Sequence, residues 1–199
     1  LNSEMNVILG WASMIEEEGS GNLAEYAKSI REAGNKLLDQ ATKEREIVEI
    51  LTEPPTPTSI ALTQRIRSIT ERLEEEYPGA VFELDLPGEL EISTISEIER
   101  AIEELLENAI VHAADEPSEV RAAITENDDG IELEIVDSNP TIPSDQLAAL
   151  TDASQIDPLT HTSGMGLWLV KRIVTRADGK LMFESREPTG NRITIALPT

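Results

Sequence analysis

The sequence has no cysteine and little histidine or aromatic content, and each shortage excludes a class of structure. With no cysteine among 199 residues, disulfides and thiolate metal sites are impossible. Two histidines, His112 and His161, cannot build a histidine-rich metal centre. Aromatic residues make up only 3% of the chain, so the core must be mainly aliphatic.

Long apolar runs are also missing. No stretch approaches the roughly 20 apolar residues that a membrane span needs, and no signal peptide is visible at the start. We therefore expect no membrane span in this chain and a cytoplasmic location, although upstream segments of a longer protein could attach it to a membrane.

Basic residues are scarce relative to acidic ones. The 16 lysines and arginines stand against 39 aspartates and glutamates, which gives a net charge of −23. Such a surface repels nucleic-acid phosphates, so no nucleic-acid partner is expected. The acidic residues are dispersed and only five residues are lysine, a composition typical of haloarchaeal proteins, in which salt screens the self-repulsion. An ordinary acidic cytosolic protein is the alternative.

Residues 1–52 predict an antiparallel helical hairpin. Apolar residues recur at helical spacing over 1–17 and again over about 23–51, with a glycine-containing break at 16–22. A hairpin alone has too little core to be stable, so we expect it to form a homodimer. The seam of the second helix has a coiled-coil period and comprises Leu23, Ala27, Ile30, Gly34, Leu37, Ala41, Glu44, Val48 and Leu51.

Residues 53–58, "EPPTPT", predict a semi-rigid linker because three prolines cannot continue a helix. The remainder, 59–199, alternates helical and strand patterns, which predicts an α+β sandwich with antiparallel strands on one side and helices on the other. The expected helices are about 59–76, 93–114, 144–150 and 166–177, with a loop at 151–163. The expected strands are 80–86 (Val81, Leu84 and Leu86 inward), 89–92, 119–126, 131–137, 180–185 and 191–197.

One candidate site lies on the helix that contains "EELLENAIVHA", residues 103–113. Glu104, Asn108 and His112 are four residues apart, so they share one helical face. An asparagine oxygen is a suitable ligand for Mg²⁺, and an acidic residue one turn earlier can orient water on the same ion. A solvated polar face would give the same spacing.

A second candidate is Asp137 in "EIVDSNPTIP", residues 134–143, because it ends a predicted strand. A carboxylate there can accept a hydrogen bond from an exocyclic amine such as that of adenine. An aspartate that begins an Asx turn is the alternative.

The third stretch, "HTSGMGLWLVKRIV", combines a glycine-containing loop with a helix start, from Gly164 through Met165 and Gly166 to Leu167. The first amides of a helix are unpaired and its dipole is positive there, so phosphates bind at such ends. In the fourth stretch, "TGNRITIALP", the Thr194 hydroxyl is predicted to point back to the same pocket.

The order of these four stretches resembles the Bergerat ATP-binding fold, and most closely that of sensor histidine kinases, over nearly the whole second domain. "ELLENAIVHA" is similar to their asparagine box, and "DSNPTIP" and "SGMGLWLVKRIV" are similar to their two glycine boxes. The resemblance implies ATP and Mg²⁺ as cofactors. Asp137 would hold the adenine amino group, Asn108 would bind Mg²⁺, the glycine loop would hold the phosphates, and His112 would either contact a phosphate or cap the helix.

The first helix, "LNSEMNVILGWASMI", resembles the helix that carries the phosphoacceptor histidine in this family. The alignment implies an acceptor just upstream of Leu1, a four-helix bundle on dimerisation, and phosphoryl transfer to an aspartate of a response-regulator receiver domain. Ser3 matches a position implicated in orienting water during dephosphorylation of that partner, although it is equally a polar residue of an early helical turn.

Two departures from the family pattern are visible. Asn139 and Thr141 replace glycines that are usual in the first glycine box, and no phenylalanine-containing box is evident in residues 151–162. The alternatives are therefore a core that mainly dephosphorylates the regulator, or a non-catalytic dimeric scaffold with a degenerate ATP site.

Overall fold

The computed structural model divides the chain into two compact units, Leu1–Glu53 and Pro54–Thr199. The residues that the structure describes are 2–18, 22–52, 54–113, 117–144, 147 and 165–198. Among them, no helix is long and apolar enough to cross a membrane.

The first unit consists of two helices, α1 (Asn2–Glu18) and α2 (Asn22–Thr52). The helices run antiparallel, because Arg31 of α2 bonds to Glu16 near the end of α1 while Gly34 lies beside Leu9 further back. A Cβ on Gly34 would lie 2.6 Å from the Leu9 Cδ2 atom. The two backbones can therefore approach closely only where α2 has a small residue.

The predicted seam of α2 divides into a buried half and an exposed half. Ala27 and Gly34 are buried against α1, whereas Leu23, Ile30 and Leu37 are 50–63% exposed. The large apolar seam residues whose side chains are described therefore remain accessible within this unit. The other large exposed apolar residues of the two helices are Val7, Ile8, Trp11, Met14, Ile15, Tyr26 and Val48.

The second unit packs helices on one face of a five-stranded sheet of order β2-β4-β5-β7-β6, beside a two-stranded sheet, β1-β3. Its strands are β1 (Pro57–Ala61), β2 (Ala80–Asp85), β3 (Glu91–Ile95), β4 (Ser118–Asn127), β5 (Gly130–Asp137), β6 (Lys180–Ser185) and β7 (Asn191–Leu197). Its helices are α3 (Leu62–Glu76), α4 (Ile98–Val111) and α5 (Met165–Arg176).

The core of this unit lies between the central strands and the helices. Side chains alternate along β5 and β7, so that every second residue faces the helical layer and is buried. The aliphatic core that the low aromatic content predicts is present. It includes Ile131, Leu133, Ile135, Ile193, Ile195, Leu197, Leu105, Leu106, Leu169, Val170 and Ile173.

Four sequence expectations for this unit differ from the structure. Residues 57–61 form strand β1, which pairs with β3, so the helix expected from 59 begins at Leu62 and the last residues of the predicted linker are extended. Only Ile60 of this strand is buried, so the sequence carries little strand signal. The helix expected from 93 begins at Ile98, because β3 extends to Ile95.

The third and fourth differences concern β2. It pairs with β4 in parallel, not antiparallel, because the chain crosses over through β3 and α4 between them. Val81 is 50% exposed and faces away from the helices, since residues three apart on a strand, such as Val81 and Leu84, lie on opposite faces. Most of the expected 144–150 helix and all of the expected 151–163 loop lie outside the described residues.

Candidate functional site

Four elements of the second unit converge on one cavity of about 290 Å³. They are the end of α4, the segment after β5, the start of α5 and the start of β7. The structure thereby brings together Asn108, His112, Asp137, Asn139 and Leu167, which the sequence places far apart. The remaining lining residues are Leu105, Ala109, Pro140, Thr141, Ile142, Pro143, Asn191 and Ile193.

Asp137, the last residue of β5, is 5% exposed and lines this cavity. Its Oδ1 atom accepts hydrogen bonds from the backbone amide of Asn139 at 2.8 Å, from the backbone amide of Asn191 at 3.2 Å and from Asn191 Nδ2 at 3.0 Å. Its Oδ2 atom has no protein donor within the described residues. The protein therefore fixes the carboxylate by one oxygen and leaves the other for a ligand that donates a hydrogen bond.

Asn191 is a site residue that the sequence reasoning missed. Besides binding Asp137, its Nδ2 donates to the Pro140 carbonyl at 3.2 Å, and its Oδ1 accepts from the Ile142 amide at 3.0 Å. The preceding Gly190 has φ 124°, and a Cβ there would lie 2.5 Å from the Asp137 carbonyl oxygen. The signal for Asn191 was available, because it shares the strand face of the apolar residues two, four and six positions later.

Thr194, by contrast, is not brought to the cavity. It pairs with Glu134 and lies on the face of β7 opposite to Asn191 and Ile193, because the two faces of a strand alternate. We therefore remove Thr194 from the candidate site.

Asn139, at a position where glycine is usual, has a clear structural partner. Its side chain is buried and its Nδ2 donates to the Ala109 carbonyl of α4 at 2.9 Å. Carbonyls near a helix C-terminus lack intrahelical partners, so this bond ties the segment after β5 to the end of α4. An asparagine in this position stabilises the cavity wall.

Asn108 and His112 form the α4 side of the cavity. Asn108 is partly exposed, and His112, which follows the helix as its C-cap, is exposed. The backbone amide of His112 donates to the Asn108 carbonyl at 3.3 Å. Glu104, one turn earlier, is only 3% exposed and is not among the residues that line the cavity.

The remaining predicted site residues have different positions. Met165 begins α5, and Gly166 is buried in its first turn. Ser3 lies in α1, in the other unit. Gly164, and the side chains of Ser3 and Met165, lie outside the described residues.

Residues 94–199 match the profile of the histidine kinase-, DNA gyrase B- and HSP90-like ATPase family. The chain belongs to this family. The matched range contains every residue of the cavity, from Leu105 to Ile193. The fold of the second unit is that of a histidine-kinase-like ATPase domain.

Two curated relatives align with the whole chain, both from Caulobacter vibrioides. They are the non-motile and phage-resistance protein, 26% identical, and the histidine protein kinase DivJ, 24% identical. The chain spans 26% and 35% of their respective lengths.

Solved structures of histidine kinases resemble this ATPase-family chain. The mycobacterial sensor histidine kinase MprB is 25% identical with a TM-score of 0.60, over 72% of this chain and 97% of its own. Full-length ShkA in complex with AMPPNP has a TM-score of 0.72 at 16% identity, over 98% of this chain and 43% of its own. Acinetobacter baumannii AdeS has a TM-score of 0.64 at 18% identity, over 98% of this chain and 94% of its own.

The cavity has little positive charge of its own. No lysine or arginine is among its lining residues in the described part of the chain, and the sequence contains neither residue type between Arg121 and Lys171. Within the described residues, no group of three or more acidic or histidine side chains could hold a metal by itself.

Proposed function

We propose that this chain is the catalytic core of a two-component histidine kinase that binds ATP with Mg²⁺. The observation that carries this proposal is the carboxylate of Asp137, which is anchored by Oδ1 and lines a cavity that Asn108 also lines. Membership of the ATPase family and the similarity to DivJ support it.

The adenine end of the site is assigned to Asp137. Its Oδ2 would accept a hydrogen bond from the exocyclic amino group, while Leu105, Ile142 and Ile193 would contact the ring. Because Asn139 and Asn191 restrain both the carboxylate and the segment after β5, the site is organised before the ligand arrives.

The phosphate end is assigned to Asn108 and the start of α5. The amide oxygen of Asn108 suits a hard cation that takes its other ligands from phosphate and water. Bound there, Mg²⁺ would neutralise phosphate charge, which the scarcity of cationic side chains makes essential. The first turn of α5, from Met165 through Gly166 to Leu167, would contact the phosphates together with Gly164. His112 is an exposed residue of the cavity lining beside Asn108.

The first unit would supply dimerisation and the phosphoacceptor. Its exposed apolar residues support a homodimeric four-helix bundle. Autophosphorylation would take place on a histidine just upstream of Leu1, and the phosphoryl group would pass to an aspartate of a response-regulator receiver domain. In a separate phosphatase reaction, Ser3 would orient the water that hydrolyses the phosphorylated aspartate of the regulator to release inorganic phosphate. The dispersed acidic surface supports a salt-adapted cytoplasmic protein.

Nucleotide binding is tested by calorimetric titration with Mg-ATP and Mg-ITP. The adenine amino group of ATP is a donor, and ITP has an oxygen acceptor at the same position. We expect the wild-type chain to bind ATP at least about tenfold more tightly than ITP. The ITP oxygen and Asp137 Oδ2 are both acceptors, so they cannot form a hydrogen bond with each other. Asp137→Asn should weaken ATP binding and remove that preference.

The matched control is Asp85→Asn, since Asp85 also ends a strand but is an exposed partner of Arg121. This control should bind ATP as the wild type does. Equal ATP binding by wild type and Asp137→Asn, or no binding by either, would contradict the proposal and favour a dimeric scaffold. Kinase activity is tested by extending the chain upstream and measuring acid-labile phosphate after incubation with Mg-ATP.

A further inference from the structure

Glu104 is a buried carboxylate that lies directly against the first turn of α5. A Cβ on Gly166 would overlap its Oε1 atom and lie 2.9 Å from its Cδ. Glycine is therefore the only residue type at position 166 that leaves the Glu104 carboxylate where it is. A glutamate side chain is flexible and could move aside from a larger residue, unless something holds its carboxylate in place.

Arg100 holds it. One guanidinium nitrogen, Nη2, donates to Glu104 Oε2 at 3.0 Å, and the other, Nη1, donates to Glu103 Oε2 at 2.9 Å. Glu103 also forms an ion pair with Arg72 of α3. Arg100 is thus fixed between two carboxylates, and the planar fork of an arginine can bridge both at once.

The Arg100–Glu104 pair lies next to two elements that line the cavity, α4 and the start of α5. Leu167, which follows Gly166, lines the cavity, and Asn108 lies one helical turn after Glu104. A negative charge near a helix N-terminus is favourable, so the held carboxylate also suits the α5 dipole. A buried ion pair contributes little net stability compared with apolar packing, so a role in fixing geometry explains its presence better than a role in stability.

We propose that Arg100 is a positioning residue of the nucleotide site, which fixes Glu104 against Gly166 and thereby sets the start of α5 relative to Asn108. This inference rests on the proposed function, because its effect is on the end of the cavity assigned to phosphate. It predicts an energetic coupling between Arg100 and Gly166 that is transmitted through Glu104.

A double-mutant cycle tests that coupling, with Mg-ATP affinity measured for Arg100→Gln, Gly166→Ala and the double variant. Each single substitution should weaken binding, by about tenfold for Arg100→Gln. In the Arg100→Gln background, Gly166→Ala should weaken binding less, because Glu104 without this ion pair is less restrained and can shift further from the new methyl group. Arg100→Lys should restore part of the affinity.

The control is Arg65→Gln, which removes an ion pair between Arg65 of α3 and Glu99 of α4 and leaves Arg100 and Glu104 in place. It should change neither affinity nor coupling. The amide resonance of Gly166, followed by NMR with ¹⁵N-glycine and no nucleotide, should shift in Arg100→Gln and stay in place in Arg65→Gln.

The outcomes separate the two claims. A wild-type chain that binds no Mg-ATP would overturn the proposed function and this inference with it. Wild-type binding combined with unchanged affinity in Arg100→Gln, or with fully additive effects of the two substitutions, would overturn the role of Arg100 alone. Loss of binding in Arg100→Gln with an unmoved Gly166 resonance would also overturn it.

Discussion

The two units of this chain differ in the solvent exposure of their large apolar residues. In Pro54–Thr199, Leu106 and Ile135 are at most 1% exposed, because a sheet and a helical layer enclose them. In Leu1–Glu53, Trp11 is 64% exposed and Leu37 is 55% exposed, because two helices alone cannot enclose a core. The second unit encloses its apolar core, whereas the first leaves large apolar side chains exposed, as the proposed pairing of two hairpins would require.

The largest expected effect tests the burial contrast itself. Leu106→Ala should lower the free energy of unfolding by about 2–5 kcal/mol, because it leaves a cavity in an enclosed core. Leu37→Ala, measured by urea unfolding at a protein concentration low enough for a monomer, should change it far less. Equal losses for the two variants would show that Leu37 is enclosed within its own unit.

The next effect concerns association. If the exposed residues of α2 are buried between two copies, each of Ile30→Ser and Leu37→Ser should cost the dimer about 1.5–3 kcal/mol. Light scattering after gel filtration should then show a shift from dimer to monomer. The control is Val81→Ser, which changes an equally exposed valine of the second unit. Loss of the dimer in the control, or its persistence in both α2 variants, would contradict dimerisation through these helices.

A third prediction sharpens the description of the second unit as preorganised. Asn191→Ala removes a donor to Asp137 and two bonds to the 140–142 segment, so ATP affinity should fall by about 1–3 kcal/mol, or roughly tenfold or more. Asn127→Ala is the matched control, because Asn127 is exposed, bonds to Glu132 and to the Asp129 backbone amide, and is not among the residues that line the cavity. Unchanged affinity in the Asn191 variant would mean that Asp137 needs no support.

The smallest effect is electrostatic and lies in the first unit. The hydrogen bond from Arg31 holds the pKa of Glu16 below its ordinary value. The pair therefore stabilises the helices fully above the ordinary glutamate pKa, and this contribution is lost as the pH falls through the lowered pKa.

Glu16→Gln should accordingly reduce amide protection in α1 and α2 at pH 7, measured by hydrogen exchange. The difference from wild type should shrink below about pH 4. Glu32→Gln, which removes an exposed pair with Lys28 within α2, serves as the control and should have little effect at either pH. A Glu16 effect that persists at low pH would show a cause other than the ion pair.

The parts of the second unit that the sequence predicts well are those with local sequence signals. The boundaries expected for β4 to β7 agree with the structure within one residue, because alternating apolar residues and the turns "NDDG" and "EPTGN" are local signals. Asn108 and Asp137 could be selected as site residues for a related reason, since each occupies a recognisable position at the end of an element.

Several features that sequence reasoning missed depend on contacts between distant residues. Strand β1 has one buried residue and exists because β3 lies beside it. The role of Asn191 depends on Asp137, which is its direct partner on the neighbouring strand β5. The packing of Glu104 against Gly166 brings together two residues about sixty positions apart, so no local pattern reports it.

The most direct test of the central claim is a crystal structure of this chain with a non-hydrolysable ATP analogue and Mg²⁺. The account predicts one nucleotide with its adenine amino group at about 3 Å from Asp137 Oδ2 and a metal ion at about 2.1 Å from Asn108 Oδ1. An adenine bound away from Asp137, or a metal ion with no contact to Asn108, would contradict it.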